Sequence, residues 1–83
     1  MYLITGAAGF IGFHISLELL KKNNIVIGVD NINKYYDKKI KYDRVEILKK
    51  FSKFKFFKID LNNKKHFDKN INRYKNKIKV IIH

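Results

Sequence analysis

Thr5-Gly6-Ala7-Ala8-Gly9-Phe10-Ile11-Gly12 is the stretch from which the rest of this chain can be read. On its N-terminal side, Tyr2-Leu3-Ile4 is a short apolar run that suits a strand buried on both faces. On its C-terminal side, residues 10–22 project as a helix. His14, Glu18, Lys21 and Lys22 fall on one narrow polar stripe, with Ile11, Ile15, Leu17, Leu19 and Leu20 around the rest. Such a helix is expected to be largely buried. Asn23-Asn24 ends it, and Ile25-Val26-Ile27-Gly28-Val29 reads as a second buried strand that delivers Asp30 at its carboxyl end. The order is strand, glycine turn, helix, strand.

Each glycine answers a different demand. Gly6 permits the tight reversal out of the strand, Gly9 lets backbone approach a ligand with no Cβ in the way, and Gly12 lets the helix pack close to the sheet. The first-turn amides around Phe10 and Ile11 would then point outward with the positive end of the helix dipole behind them, an arrangement that receives a pyrophosphate. A glycine triplet alone is equally a tight turn with a helix-packing glycine. What raises it is Asp30, which lies near the roughly 20-residue distance at which a dinucleotide fingerprint places its acidic residue. A carboxylate there accepts from both adenosine ribose hydroxyls and repels a 2′-phosphate, so NAD is expected rather than NADP. Two alternatives stay open: Asp30 as a turn-capping carboxylate, and Lys34 as a host for a 2′-phosphate.

Beyond the polar and aromatic loop from Asn31 to Asp37, residues 38–51 read as a helix. Its seam is expected at Ile40, Ile47 and Phe51, with Val45 and Leu48 beside it. Phe54 to Ile59 reads as a third strand ending in Asp60. That residue either shares the ligand-binding carboxyl edge with Asp30 or caps the helix that follows. Asn62 or Asn63 can also cap this short helix, whose Phe67, Ile71 and Tyr74 recur at helical spacing. Lys79-Val80-Ile81-Ile82 begins a fourth strand. Strands alternating with helices, joined by right-handed crossovers, give an α/β fold: a Rossmann-type doubly wound parallel sheet in the order 3-2-1-4. One partial dinucleotide-binding domain, residues 1–83, accounts for the whole sequence. Only the first half of such a sheet is present, so the chain reads as truncated at His83.

Composition narrows the alternatives. The 83 residues include no cysteine, which removes disulfide frameworks and thiolate metal sites, and no proline. No apolar run approaches the roughly 20 residues that span a bilayer, so a soluble cytoplasmic chain is expected. Nineteen Lys and Arg against seven Asp and Glu give a net charge of +12. That excess would suit a nucleic-acid partner. However, the lysines are spread along the chain and accompany abundant Asn and Ile, as an A/T-rich coding bias would produce. Nucleic-acid binding is therefore the lesser reading.

The run from Leu3 to Gly12 resembles the start of the extended short-chain dehydrogenase/reductases, in the NAD-dependent epimerase/dehydratase group. Phe13-His14, together with residues 29–37 (Val-Asp-Asn-Ile-Asn-Lys-Tyr-Tyr-Asp), is similar to the UDP-glucuronate 4-epimerase branch. The resemblance covers essentially the whole chain. It implies Gly6, Gly9, Phe10, Ile11 and Gly12 at the pyrophosphate of NAD, Asp30 and Asn31 at the adenosine ribose, and Asp60 with Leu61 at the adenine. It also implies transient oxidation of a nucleotide sugar at C4, and homodimers in longer forms.

In that family a Tyr-x-x-x-Lys pair far downstream performs the acid/base chemistry. Tyr35 and Lys39 have this spacing, yet they follow the second strand on the adenosine side and read as surface residues. No catalytic residue is therefore assigned, no metal ligand either, and the 83 residues alone are expected to be inactive. His14 is expected to be a solvated partner of Glu18, His66 a surface residue, and His83 a structural residue near the cofactor pocket.

Overall fold

The computed structural model describes residues 1–32 and 38–82. The expected alternation is realised as β1 (Tyr2–Thr5), α1 (Phe10–Lys21), β2 (Val26–Asp30), α2 (Lys38–Lys49), β3 (Phe54–Lys58), α3 (Lys64–Ile71) and β4 (Val80–Ile82), with a 3-10 turn at Asn72–Tyr74 after α3. All three strand pairings are parallel, and the order is β3-β2-β1-β4, as the sequence predicts. In register, Ile4 stands beside Gly28 and Ile82, and Asp30 beside Lys58. The carboxyl ends of β1 and β2 therefore lie side by side.

Local chemistry sets the element ends. The Asn23 N–H donates to the Leu20 carbonyl, and its left-handed φ of 70° then turns the chain so that the Asn24 N–H and Nδ2 both donate to Leu19. This closes the carbonyls that α1 leaves open. At α3 the cap is Asn63, whose Oδ1 accepts from the His66 N–H. Asp60 is not the cap: its carboxylate accepts from the Asn62 N–H within a tight turn.

The sheet is covered on both faces. Ile4, Val26 and Phe54 pack under α1 and α2 with Phe13, Leu20 and Leu48. Leu3, Ile27 and Val29 pack on the other side under Ile71, Phe67 and Tyr74, the three residues expected to form one seam. Every residue of β2 is buried, which fits an inner strand flanked on both edges.

Two expectations about helix burial are corrected. In α1 only Phe13, Ser16 and Leu20 are fully buried, while Ile11 is 74% exposed. The helix rests on the sheet by one stripe, and Phe10 and Ile11 remain exposed. In α2 the buried pair is Val45 and Leu48, whereas Ile40 and Ile47 are exposed. The inward stripe runs Lys41, Arg44, Val45, Leu48, so two cationic side chains occupy positions that periodicity assigns to apolar ones. His14 also differs from expectation. No hydrogen bond or ion pair joins it to Glu18 among the described residues; its ring instead lies against Phe10 at 4.7 Å and Phe13 at 5.2 Å. His66 is exposed, as predicted, and His83 lies outside the described residues.

Candidate functional site

The turn between β1 and α1 is built as the glycine spacing requires. Gly6 has a φ of +67°, a conformation costly for any residue with a Cβ. A Cβ on Gly12 would lie 2.1 Å from the Gly6 carbonyl oxygen and 2.8 Å from its carbon. The sequence assigns Gly12 to close packing of the helix on the sheet; the structure corrects this, because the atoms a Cβ there would meet belong to Gly6 and Ala7 of the turn. The Gly9 N–H donates to Gly6 O, and the first helical bond of α1 runs from Phe13 N–H to Gly9 O. The amides of Phe10, Ile11 and Gly12 precede that bond and have no intrahelical acceptor. Gly9 caps α1 without a side chain, and no acidic residue occupies the first turn. A helix N-terminus in this state presents donors and a positive dipole end to an anion.

Two clefts meet at Gly6. The first, about 360 Å³, is lined by Thr5, Gly6, Gly9, Phe10, Ile11, Gly12 and the apolar Ile4, Ile15 and Ile82. The second, about 280 Å³, is lined by Gly6, Asp30, Asn31, Lys41, Asp60, Leu61 and their neighbours. Together they bring the nine residues assigned to the cofactor from the sequence to one edge of the sheet, where open α/β folds bind ligands. Phe10, Ile11 and Leu61 are exposed apolar side chains along the cleft rims. A larger depression of about 490 Å³ between α3 and β4 is lined by Leu3, Phe67, Ile71, Ile78 and Ile81 together with Asp68, Asn72 and Lys75. Its lining contains none of the glycine-turn residues or their first-turn amides, so chemistry rather than volume identifies the site.

Asp30 organises the second cleft. Its side chain is 2% exposed. Oδ2 accepts from the Ala8 N–H at 3.0 Å, while Oδ1 accepts from the Ile32 N–H at 2.9 Å and from Lys41 Nζ at 3.2 Å. The bond to Ala8 ties the end of β2 to the glycine turn. Ile32 sits at a φ of 51°, unusual for a β-branched residue, and is held by that N–H bond and by burial against Ala8 and Val45. Asp30 thus does cap the turn after β2, the alternative raised from sequence, while also facing the cleft.

Sequence reasoning missed Lys41 and Arg44. Arg44 donates from Nη1 to the Ala8 carbonyl at 3.0 Å, and its guanidinium carbon stands 6.0 Å from the centre of the Phe10 ring. Both residues reach from α2 to the glycine turn and its acidic partner. Their spacing with Val45 and Leu48 is the signal that could have found them. Lys34 and Tyr35 lie outside the described residues. Lys39 is exposed and pairs with Asp43 at 3.0 Å on the outer face of α2, as a surface residue would.

Similarity to known proteins agrees with this geometry. The family model described as GDP-mannose 4,6 dehydratase matches residues 3–83. A UDP-glucuronate 4-epimerase of Thermodesulfobacterium geofontis is 52% identical over 62 residues, covering 75% of this chain and 19% of the relative. An Arabidopsis thaliana UDP-glucuronate 4-epimerase is 54% identical over 48 residues, covering 58% of this chain and 10% of the relative. Among solved structures, the Bacillus cereus UDP-glucuronic acid 4-epimerase in complex with UDP-glucuronic acid and NAD superimposes with a TM-score of 0.81 at 32% identity. It covers 99% of this chain and 25% of that one. The chain therefore spans a quarter or less of these relatives' length. With the glycine turn, the acidic residue ending β2 and the 3-2-1-4 sheet all in place, the chain belongs to the GDP-mannose 4,6 dehydratase family of extended short-chain dehydrogenase/reductases.

Proposed function

We propose that this chain is the NAD-binding N-terminal region of a UDP-glucuronate 4-epimerase-like enzyme. The single observation that carries the proposal is the buried Asp30 carboxylate joined to the glycine turn beside three first-turn amides that have no intrahelical acceptor. The donor set fits a dinucleotide. The N–H groups of Phe10, Ile11 and Gly12 receive the pyrophosphate, and the absence of a Cβ at Gly9 lets it approach the backbone. Asp30 and Asn31 bind the adenosine ribose, while Leu61 and Asp60 border the adenine. The apolar rim of Phe10 and Ile11 excludes water from the phosphate side of the cleft.

When bound, NAD supplies reversible hydride acceptance at the sugar carbon that is epimerised. The residues of this chain bind and orient the dinucleotide. The acid/base pair and the sugar-binding region belong to a longer form of the polypeptide, which we propose acts on UDP-glucuronic acid. The similarity to an epimerase structure holding both NAD and UDP-glucuronic acid supports this assignment.

The test is calorimetric titration of the chain with NAD and NADP, followed by assay of a longer polypeptide containing it with UDP-glucuronic acid. Saturable NAD binding that is lost in Asp30→Ala is expected. An absence of dinucleotide binding, or binding unaffected by the Asp30 and Gly12 variants, would remove the cofactor assignment. A longer form that binds NAD yet leaves UDP-glucuronic acid unchanged would remove the substrate assignment.

A further inference from the structure

The Asp30–Lys41 pair differs from the other ion pairs among the described residues. Its two side chains are 2% and 15% exposed, whereas Lys39–Asp43 and Glu46–Lys49 have every side chain more than half exposed. Lys41 comes from the inward stripe of α2 and lines the same cleft as Gly6, Asn31, Asp60 and Leu61. It adds a cation to the place where the sequence pattern calls only for an acid.

Counting acceptors shows what the cation changes. A carboxylate offers about four lone-pair sites on its two oxygens. Oδ1 accepts from both Ile32 and Lys41, and Oδ2 accepts from Ala8, so about one site remains, on Oδ2. Asp30 is therefore one acceptor short of receiving both hydroxyls of a ribose, the role the fingerprint gives it. The ammonium that takes up part of Oδ1 belongs to a residue lining the same cleft and carries three N–H donors in all. It also cancels at close range the negative charge by which a lone Asp repels a 2′-phosphate.

We propose that Lys41 is a specificity-determining residue of the adenosine pocket: it shares the ribose with Asp30, and the pair rather than Asp30 alone sets the balance between a 2′-hydroxyl and a 2′-phosphate. This rests on the reading of the cleft as a dinucleotide site. NAD remains preferred because the carboxylate stays in place, but the discrimination is shallower than a lone Asp would give. Removing the carboxylate charge while keeping the ammonium shifts that balance toward the 2′-phosphate.

The experiment is titration of the chain and its variants with NAD and with NADP, with far-UV circular dichroism confirming that each variant retains its helices. In K41M, NADP affinity is expected to fall about tenfold, the scale of one charge-assisted hydrogen bond. NAD affinity should fall much less, so selectivity for NAD rises. In D30N, NADP should bind more tightly than in the wild type and NAD more weakly. The double variant D30N/K41M should lose the NADP gain, and K41R should keep the wild-type ratio.

A purely structural Lys41 would shift both affinities by the same factor, and that result overturns the inference while leaving NAD binding intact. Survival of the D30N gain in the double variant, or its loss in D30N/K34M instead, would likewise overturn it. A wild-type chain that binds neither dinucleotide overturns both the inference and the reading beneath it.

Discussion

A methyl group on Gly12 would sit 2.1 Å from the carbonyl oxygen of Gly6. Both positions are glycine, for unrelated reasons that can be separated by measurement. The obstacle at Gly12 is backbone that cannot swing aside, so Gly12→Ala should approach the upper end of overpacking costs, about 3 kcal/mol. At Gly6 nothing lies within 4 Å of the missing Cβ, and only the φ of +67° opposes a side chain. Gly6→Ala should cost about 1–2 kcal/mol from that conformation, partly offset by a less flexible unfolded chain. Urea titrations should place the midpoint of G12A well below that of G6A. The reverse order would show that the turn is held by its dihedrals and not by contact with α1.

The Asn63 side chain caps the N-terminus of α3, a helix of eight residues. Helices this short depend on their ends, and loss of an N-cap typically costs about 1 kcal/mol. Asn63→Ala should lower stability by about that amount, Asn63→Asp much less. Because Phe67 and Ile71 cover one face of the sheet, fraying should speed amide exchange in β1 as well as in α3. Exchange confined to α3 would mean that this face is held without the helix.

Ser16 is fully buried in α1, and its Oγ has no hydrogen-bond partner among the described residues. A hydroxyl in that position forfeits its water without recompense, a loss of about 1–3 kcal/mol. Alanine removes the hydroxyl, leaves little void and favours the helix, so Ser16→Ala should raise stability by about 1 kcal/mol. Destabilisation measured by denaturant titration with an unchanged slope would show that the hydroxyl is paired in solution.

The strands, the glycine turn and the parallel order were legible because they rest on short apolar runs and on residues with few alternatives. Val26 to Asp30 is buried throughout, and an unbroken apolar strand in an α/β alternation has only an inner position to occupy. Helix faces were less legible. The sequence suggests Ile40 and Ile47 for the seam of α2, yet the inward stripe carries Lys41 and Arg44, whose charges are used at the glycine turn. Apolar periodicity cannot see a buried cation whose partner is far along the chain. For α1 the difficulty was the opposite: Ile11 is apolar but 74% exposed, because periodicity reports a preference for burial and not whether a neighbour is there. Asp30 was found by its place after β2, but its debts to Ala8, Ile32 and Lys41 depend on tertiary contacts.

Arg44 offers a way to separate bracing of the turn from its occupation. Its guanidinium donates to the Ala8 carbonyl and stands 6.0 Å from the Phe10 ring, while the Ala8 N–H donates to Asp30. One peptide unit on either side of Ala8 is thus held from α2 and from β2 at once. Arg44→Met keeps most of the aliphatic stem but loses the donor and the charge over the ring. It should cost about 1–2 kcal/mol of stability, the worth of one partly buried charged hydrogen bond and a weak cation–π contact. It should also weaken NAD binding several-fold, because the amides proposed to receive the pyrophosphate begin at Phe10, two residues after Ala8. Arg44→Lys should recover little of either effect, since a lysine lacks the planar fork that meets the carbonyl while lying over an aromatic face. Parallel urea and calorimetric titrations check this. A variant that loses stability while binding NAD with unchanged affinity would show that the turn keeps its shape without the brace, leaving Arg44 to join α2 to the sheet.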